Sequence, residues 1–150
     1  ALDDKFGAKR VVIGALVLLM IGCVGILSVT TGYVLFTIPI AERMPGSQPF
    51  SSTGEIVFLI FAGLIAIAAA PNQAASRTLM ARLSPPDRMT QYFGLFAFSG
   101  KVTAFLAPLT IAAVTSLTGS QRAGMAMILA FLLAGLLILL PVREQRVSSA

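Results

Sequence analysis

Histidine and tryptophan are missing from this 150-residue chain, and cysteine occurs once, as Cys23. Without His and with a lone Cys, neither a zinc site nor a Cys–His or Ser–His nucleophile pair can be assembled. Cys23 cannot form an intramolecular disulfide, and inside an apolar run it reads as a small buried hydrophobe. Charge is scarce too: Asp, Glu, Lys and Arg make up 11% of residues, against roughly 25% in soluble domains. From Val11 to Ala41 there is none at all. With 57% hydrophobic residues and a mean hydropathy of +0.90, a soluble domain of this length could not bury the apolar surface, so the expected solvent is a lipid bilayer. The net charge of +5 does not indicate nucleic acid, because the charges sit between apolar runs rather than on one face. The first apolar run is too long for a signal-peptide core and lacks a small-residue cleavage site.

What is present is four apolar stretches, each long enough to cross a bilayer as a helix. The first lies within Val11 to Phe36. The second runs from Ile56 to about Ser76. The third runs from near Gln91 to about Leu117, interrupted once by Lys101. The fourth runs from Ala123 to Val142. The expected class is therefore an all-α membrane protein. Ser52-Thr53-Gly54-Glu55 has capping-box spacing before the second span, and Ser84-Pro85-Pro86-Asp87 repeats it before the third, with Pro85 at the first helical position. Gly119 and Ser120 mark a tight turn, and Thr37 to Ser52 is the only long loop expected. Small-residue spacing at Gly100/Ala104, at Ala130/Ala134 and among Ala66, Ala68, Ala69 and Ala70 reads as ordinary helix packing.

The basic residues give an orientation. Lys5, Lys9, Arg10, Arg77, Arg82, Arg88, Arg143 and Arg146 fall on one side of the four spans, Arg43 and Arg122 on the other. The positive-inside rule makes the first side cytoplasmic, so both ends are expected in the cytoplasm.

Lys101 is the one charge well inside a span. A lysine there costs at least ~2.5 kcal/mol on insertion scales and should face protein or a watery cavity, as a substrate-anion contact or one half of a gating ion pair. Asn72, Gln73 and Ser76 follow Pro71, which can kink the second span; they read either as cavity lining or as the end of the apolar run. No Asp or Glu lies inside a span. A carboxylate titrating within the membrane would then have to lie on another part of the protein. The spans also hold no acid–base pair for an intramembrane enzyme.

Asp4-Lys5-Phe6-Gly7-Ala8-Lys9-Arg10, directly before a membrane span, resembles the cytoplasmic loop signature of major facilitator transporters. Gly7 permits the tight turn, Lys9 and Arg10 fix the helix start, and Asp4 can accept hydrogen bonds at a neighbouring helix N-terminus. The likeness continues through Pro71-Asn72-Gln73-Ala74-Ala75-Ser76-Arg77, Pro85-Pro86-Asp87-Arg88, Tyr92-Phe93-Gly94-Leu95-Phe96 and Gly119-Ser120-Gln121-Arg122. These stretches are similar to the last four helices of the vacuole effluxer-like branch of that superfamily. The resemblance implies helices nine to twelve of a twelve-helix permease working by alternating access. The second span would line the central cavity with the third beside it, and the first and fourth would be outer supports. It also implies efflux of amino acids or other small solutes, with no cofactor. The chain begins with Ala inside the signature, and the expectation is a C-terminal piece whose partners are the lipid bilayer, a small-molecule substrate and the transporter's remaining helices, in a bacterial cell membrane. The competing reading is a self-contained four-helix membrane protein that oligomerises, structural or a small multidrug-type exporter.

Overall fold

The computed structural model describes residues 7–30, 32–40 and 50–142. Four helices account for most of them: α1 (Ala8–Ser28), α2 (Thr53–Leu83), α3 (Met89–Thr118) and α4 (Gln121–Leu139). All four are long and apolar enough to span a membrane. A small antiparallel hairpin, β1 (Tyr33–Val34) and β2 (Ile38–Pro39), follows α1 and pairs Val34 with Ile38. The protein is thus an all-α membrane protein, with one four-residue sheet among the described residues.

The first span is shorter at its far end than hydropathy suggested. Its 21 residues extend about 31 Å, close to the ~30 Å hydrocarbon core. The helix stops at Ser28, whose hydroxyl donates to the Gly25 carbonyl at 2.6 Å, and Val29 is already extended. The β-branched run Val29-Thr30-Thr31 then favours strand over helix, and Gly32 turns the chain at φ 118°. The apolar residues up to Phe36 belong to the hairpin, so the irregular connection begins before Thr37. Of the expected long loop, residues 41–49 lie outside the described residues.

The Ser52 capping box forms as expected. Ser52 Oγ accepts from the Glu55 N–H at 3.3 Å, and the Glu55 carboxylate accepts from the Ser52 N–H at 3.3 Å. Ser52→Ala should destabilise the start of α2 by about 1 kcal/mol, seen as a lower thermal unfolding midpoint in detergent. The helix then runs for 31 residues, well past Ser76 and through Pro71.

The second capping box does not form. Ser84 instead closes α2, donating both its N–H (3.0 Å) and its hydroxyl (2.7 Å) to the Met80 carbonyl. A residue preceding proline is pushed out of the helical region. That applies to Ser84 (ψ 130°) and again to Pro85 (ψ 140°), so Pro85 cannot be the first helical residue. A 3₁₀ turn, Pro86–Arg88, intervenes, and Asp87 pairs with its neighbour Arg88 at 3.4 Å. Between α3 and α4, Gly119 takes the left-handed conformation at φ 64°, and Ser120 Oγ accepts from the Ala123 N–H at 3.4 Å.

Helix α1 is the hub, packed against α2 on one side and α4 on the other, while α3 leans mainly on α4. Its buried face is a stripe of mostly small residues, Ala8, Val12, Ala15, Gly22, Gly25 and Ser28. A Cβ on Gly25 would come within 2.4 Å of the Phe61 ring, and one on Gly22 within 2.5 Å of Ile65. A Cβ on Gly124 would press on Thr115 and on the Ile111 carbonyl of α3. Of the small residues expected at helix contacts, Gly100, Ala104, Ala130 and Ala134 are exposed among the described residues, whereas Ala68 of α2 is buried, as is Ala75 further along the same helix.

Candidate functional site

The polar residues singled out from the sequence fall into three places. Asp4 and Lys5 lie outside the described residues.

The first place is the middle of α3. Lys101 stands twelve residues into the helix, about 18 Å along its axis. It is exposed and makes no hydrogen bond or ion pair with the described residues. No residue of α3 is buried. Seven residues on, nearly two full turns, Pro108 lies on the same face and removes the backbone donor that Ala104 would otherwise receive. Downstream, Thr110 Oγ1 donates to the Leu106 and Ala107 carbonyls at 2.9 Å each. Pro108 is visible in the sequence as a proline inside the third span, and only its register with Lys101 on the helix links the two.

The second place is a cleft of about 290 Å³ reached by all four helices, with Leu16 from α1, Asn72 and Ser76 from α2, Phe96 from α3 and Gly135 from α4 on its walls. Asn72 and Ser76 are one helical turn apart, which puts them on one face. The Ser76 hydroxyl donates to the Asn72 backbone carbonyl at 2.7 Å. The Asn72 side-chain oxygen is buried without a partner among the described residues. Gln73, one position further, points to an exposed face. The structure therefore brings Asn72 and Ser76 together and separates them from Gln73 and from Lys101.

The third place is the α1–α4 contact, which sequence reasoning did not anticipate. Gly7, at φ 86°, makes the turn into α1. Lys9, two residues later, donates through Nζ to the Leu140 carbonyl (2.7 Å) and the Val142 carbonyl (2.6 Å), beyond the last turn of α4. Arg10 beside it is exposed. At the opposite end Arg122, in the first turn of α4, donates to the Thr30 hydroxyl at 3.1 Å and to the Val29 carbonyl, just past the end of α1. Each cation meets the negative end of the neighbouring helix dipole. The pairing is fixed by the antiparallel packing of residues over ninety positions apart, which no local signal encodes.

Between these two ends lies an almost wholly apolar groove of about 490 Å³, bounded by Val24, Gly25 and Ser28 of α1, Phe61 of α2, Leu136 of α4 and the hairpin tip at Leu35 and Phe36. Leu35 and Phe36 both hold positive φ, 52° and 62°, a conformation uncommon for bulky residues. The one hydroxyl there, that of Ser28, is already bonded to Gly25. This groove offers no chemistry for recognising a polar solute.

Comparison with known proteins agrees with the resemblance. A family model described as "Vacuole effluxer Atg22 like" matches residues 5–149. Autophagy-related protein 22 of Cryptococcus neoformans var. neoformans serotype D (strain B-3501A) is 35% identical over 92 residues, covering 61% of this chain and 16% of that protein. An MFS-type transporter described as uncharacterized, YxiO of Bacillus subtilis (strain 168), is 32% identical over 88 residues, covering 59% of this chain and 21% of that protein. The chain thus matches only about a fifth or less of either relative's length. No solved structure matches. With nearly every residue inside the family match and four membrane-spanning helices in the fold, the chain belongs to the vacuole effluxer Atg22-like family.

Proposed function

We propose that this chain is the C-terminal four-helix portion of a major-facilitator-type permease that exports small solutes, amino acids among them, by alternating access. The observation that carries the reading is Lys101, a charge held mid-helix on a face with no protein cover among the described residues. In hydrocarbon that face is costly; against a water-filled path and the helices of a larger transporter it is not. Much greater length in the relatives supports the same view. Lys101 is then a substrate-anion contact or a gating cation. Gln73 and the Asn72–Ser76 cleft supply neutral hydrogen-bonding groups along α2.

Among the described residues the acidic groups of the spans, Glu55 and Asp87, stand at helix starts and none lies in a span's interior, so a proton-coupled cycle would draw its carboxylate from elsewhere in the permease. The distribution of basic residues supports an orientation with Lys9, Arg82 and Arg88 in the cytoplasm and Arg122 outside. A bacterial cell membrane is the proposed location, and the partners are lipid, a small solute and the remaining helices of the permease. Catalysis has no part in this reading.

The test is efflux from proteoliposomes containing the full-length protein and preloaded with a panel of labelled amino acids. Release of at least one faster than from protein-free vesicles is expected. Release equal to passive leak for the whole panel would remove amino acids as the substrate class.

A further inference from the structure

The α1–α4 contact has an unusual construction. The apolar groove runs along α1 with Leu136 as its one lining residue from α4, while each end of the α1–α4 contact is closed by a cation on the other helix's terminal carbonyls. The arrangement is reciprocal: a cation in the first turn of α1 caps the end of α4, and a cation in the first turn of α4 caps the end of α1. Lys9 belongs to the loop signature, so the turn before α1 is tied to the segment that leaves α4. A lysine or arginine can hold two carbonyl or hydroxyl acceptors at once, and a charged donor makes the stronger kind of hydrogen bond.

We propose that Lys9 and Arg122 are positioning residues that bind α1 and α4 into one rigid strut, holding their separation at both membrane surfaces. In the permease proposed above, on which this last step rests, the strut carries the other helices through the transport cycle without changing its own length or splay. Lys9 sets one end and Arg122 the other, independently of each other.

The experiment is distance measurement between paired spin labels on the full-length protein in lipid, in a Cys23→Ala background. One pair, Gly14→Cys with Leu137→Cys, reads the Lys9 end; the other, Tyr33→Cys with Gln121→Cys, reads the Arg122 end. All four positions are exposed. A single narrow distance is expected for each pair. Lys9→Met should add a longer population to the first pair only, and Arg122→Met to the second only. Lys9→Arg, which still offers several donors, should restore the narrow distribution. Two populations at either end without those substitutions, or no change with them, would overturn the proposal. None of these readings depends on transport, so a protein that fails to export amino acids can still pass or fail this test. General unfolding would broaden both pairs together and would not be reversed by Lys9→Arg.

Discussion

Lys101→Met should abolish transport by the full-length permease while leaving its amount in the membrane unchanged. Methionine keeps a long unbranched chain and good helix propensity, so α3 should form and insert at least as readily as before. Insertion scales put the removed charge at ~2.5 kcal/mol or more near the middle of a helix, so the variant should insert more easily. What disappears is the sole cation of α3, on a face that buries nothing in this chain and sits two turns from Pro108, which removes one backbone hydrogen bond. Lys101→Arg separates the two roles proposed for it. A gating ion pair tolerates Arg, because guanidinium pairs well with carboxylate, whereas a cavity shaped to a compact ammonium does not. Transport by Lys101→Met at the unsubstituted rate, with equal protein in the membrane, would remove Lys101 from the pathway and leave it as a snorkelling residue.

Gly25→Ala should be strongly disruptive for a single added methyl in the transmembrane core. The new Cβ would lie 2.2 to 2.4 Å from three atoms of the Phe61 ring, inside any allowed contact, so the α1–α2 pair would have to separate or Phe61 leave its rotamer. Overpacking of this kind costs typically about 1–3 kcal/mol. Gly63→Ala is the matched control, since nothing stands within 4 Å of a Cβ there and alanine is the better helix former. Thermal unfolding in detergent should show a fall in midpoint for Gly25→Ala and none for Gly63→Ala. The Gly25→Ala, Phe61→Ala double variant should be destabilised by less than the sum of the two single changes, because removing the Phe61 ring relieves the clash. Equal midpoints for the two glycine variants would mean that α1 and α2 do not meet at Gly25.

The glycine contacts show where sequence reasoning reached its limit. Gly22, Gly25 and Gly124 are as visible in the sequence as Gly100, yet only the first three stand against a neighbouring helix. In a soluble helix the polar face tells which side is buried. Here every helix is apolar around most of its circumference, so periodicity carries no such information, and small residues on a lipid-facing side look the same as those at an interface. The same reason split Asn72 from Gln73: adjacent in sequence, they stand about 100° apart on the helix, and only the position of α1 decides which of them enters the four-helix cleft.

Local physical chemistry by itself determined the number of spans, the Ser52 capping box, the Gly119–Ser120 turn and the absence of any metal or nucleophile chemistry built on His. Each depends on hydropathy summed over a window, on a hydrogen bond between residues three apart, or on which side chains exist. Local rules also contained the failure of the second capping box, since successive prolines hold Ser84 and Pro85 extended. Tertiary structure alone decided that α1 is the hub, that Lys9 and Arg122 each close the other helix's end, and that Asn72 is turned inward while Lys101 is not. Those outcomes depend on which helices become neighbours and at what rotation, quantities set by side-chain fit between residues far apart in the chain rather than by any pattern within a helix.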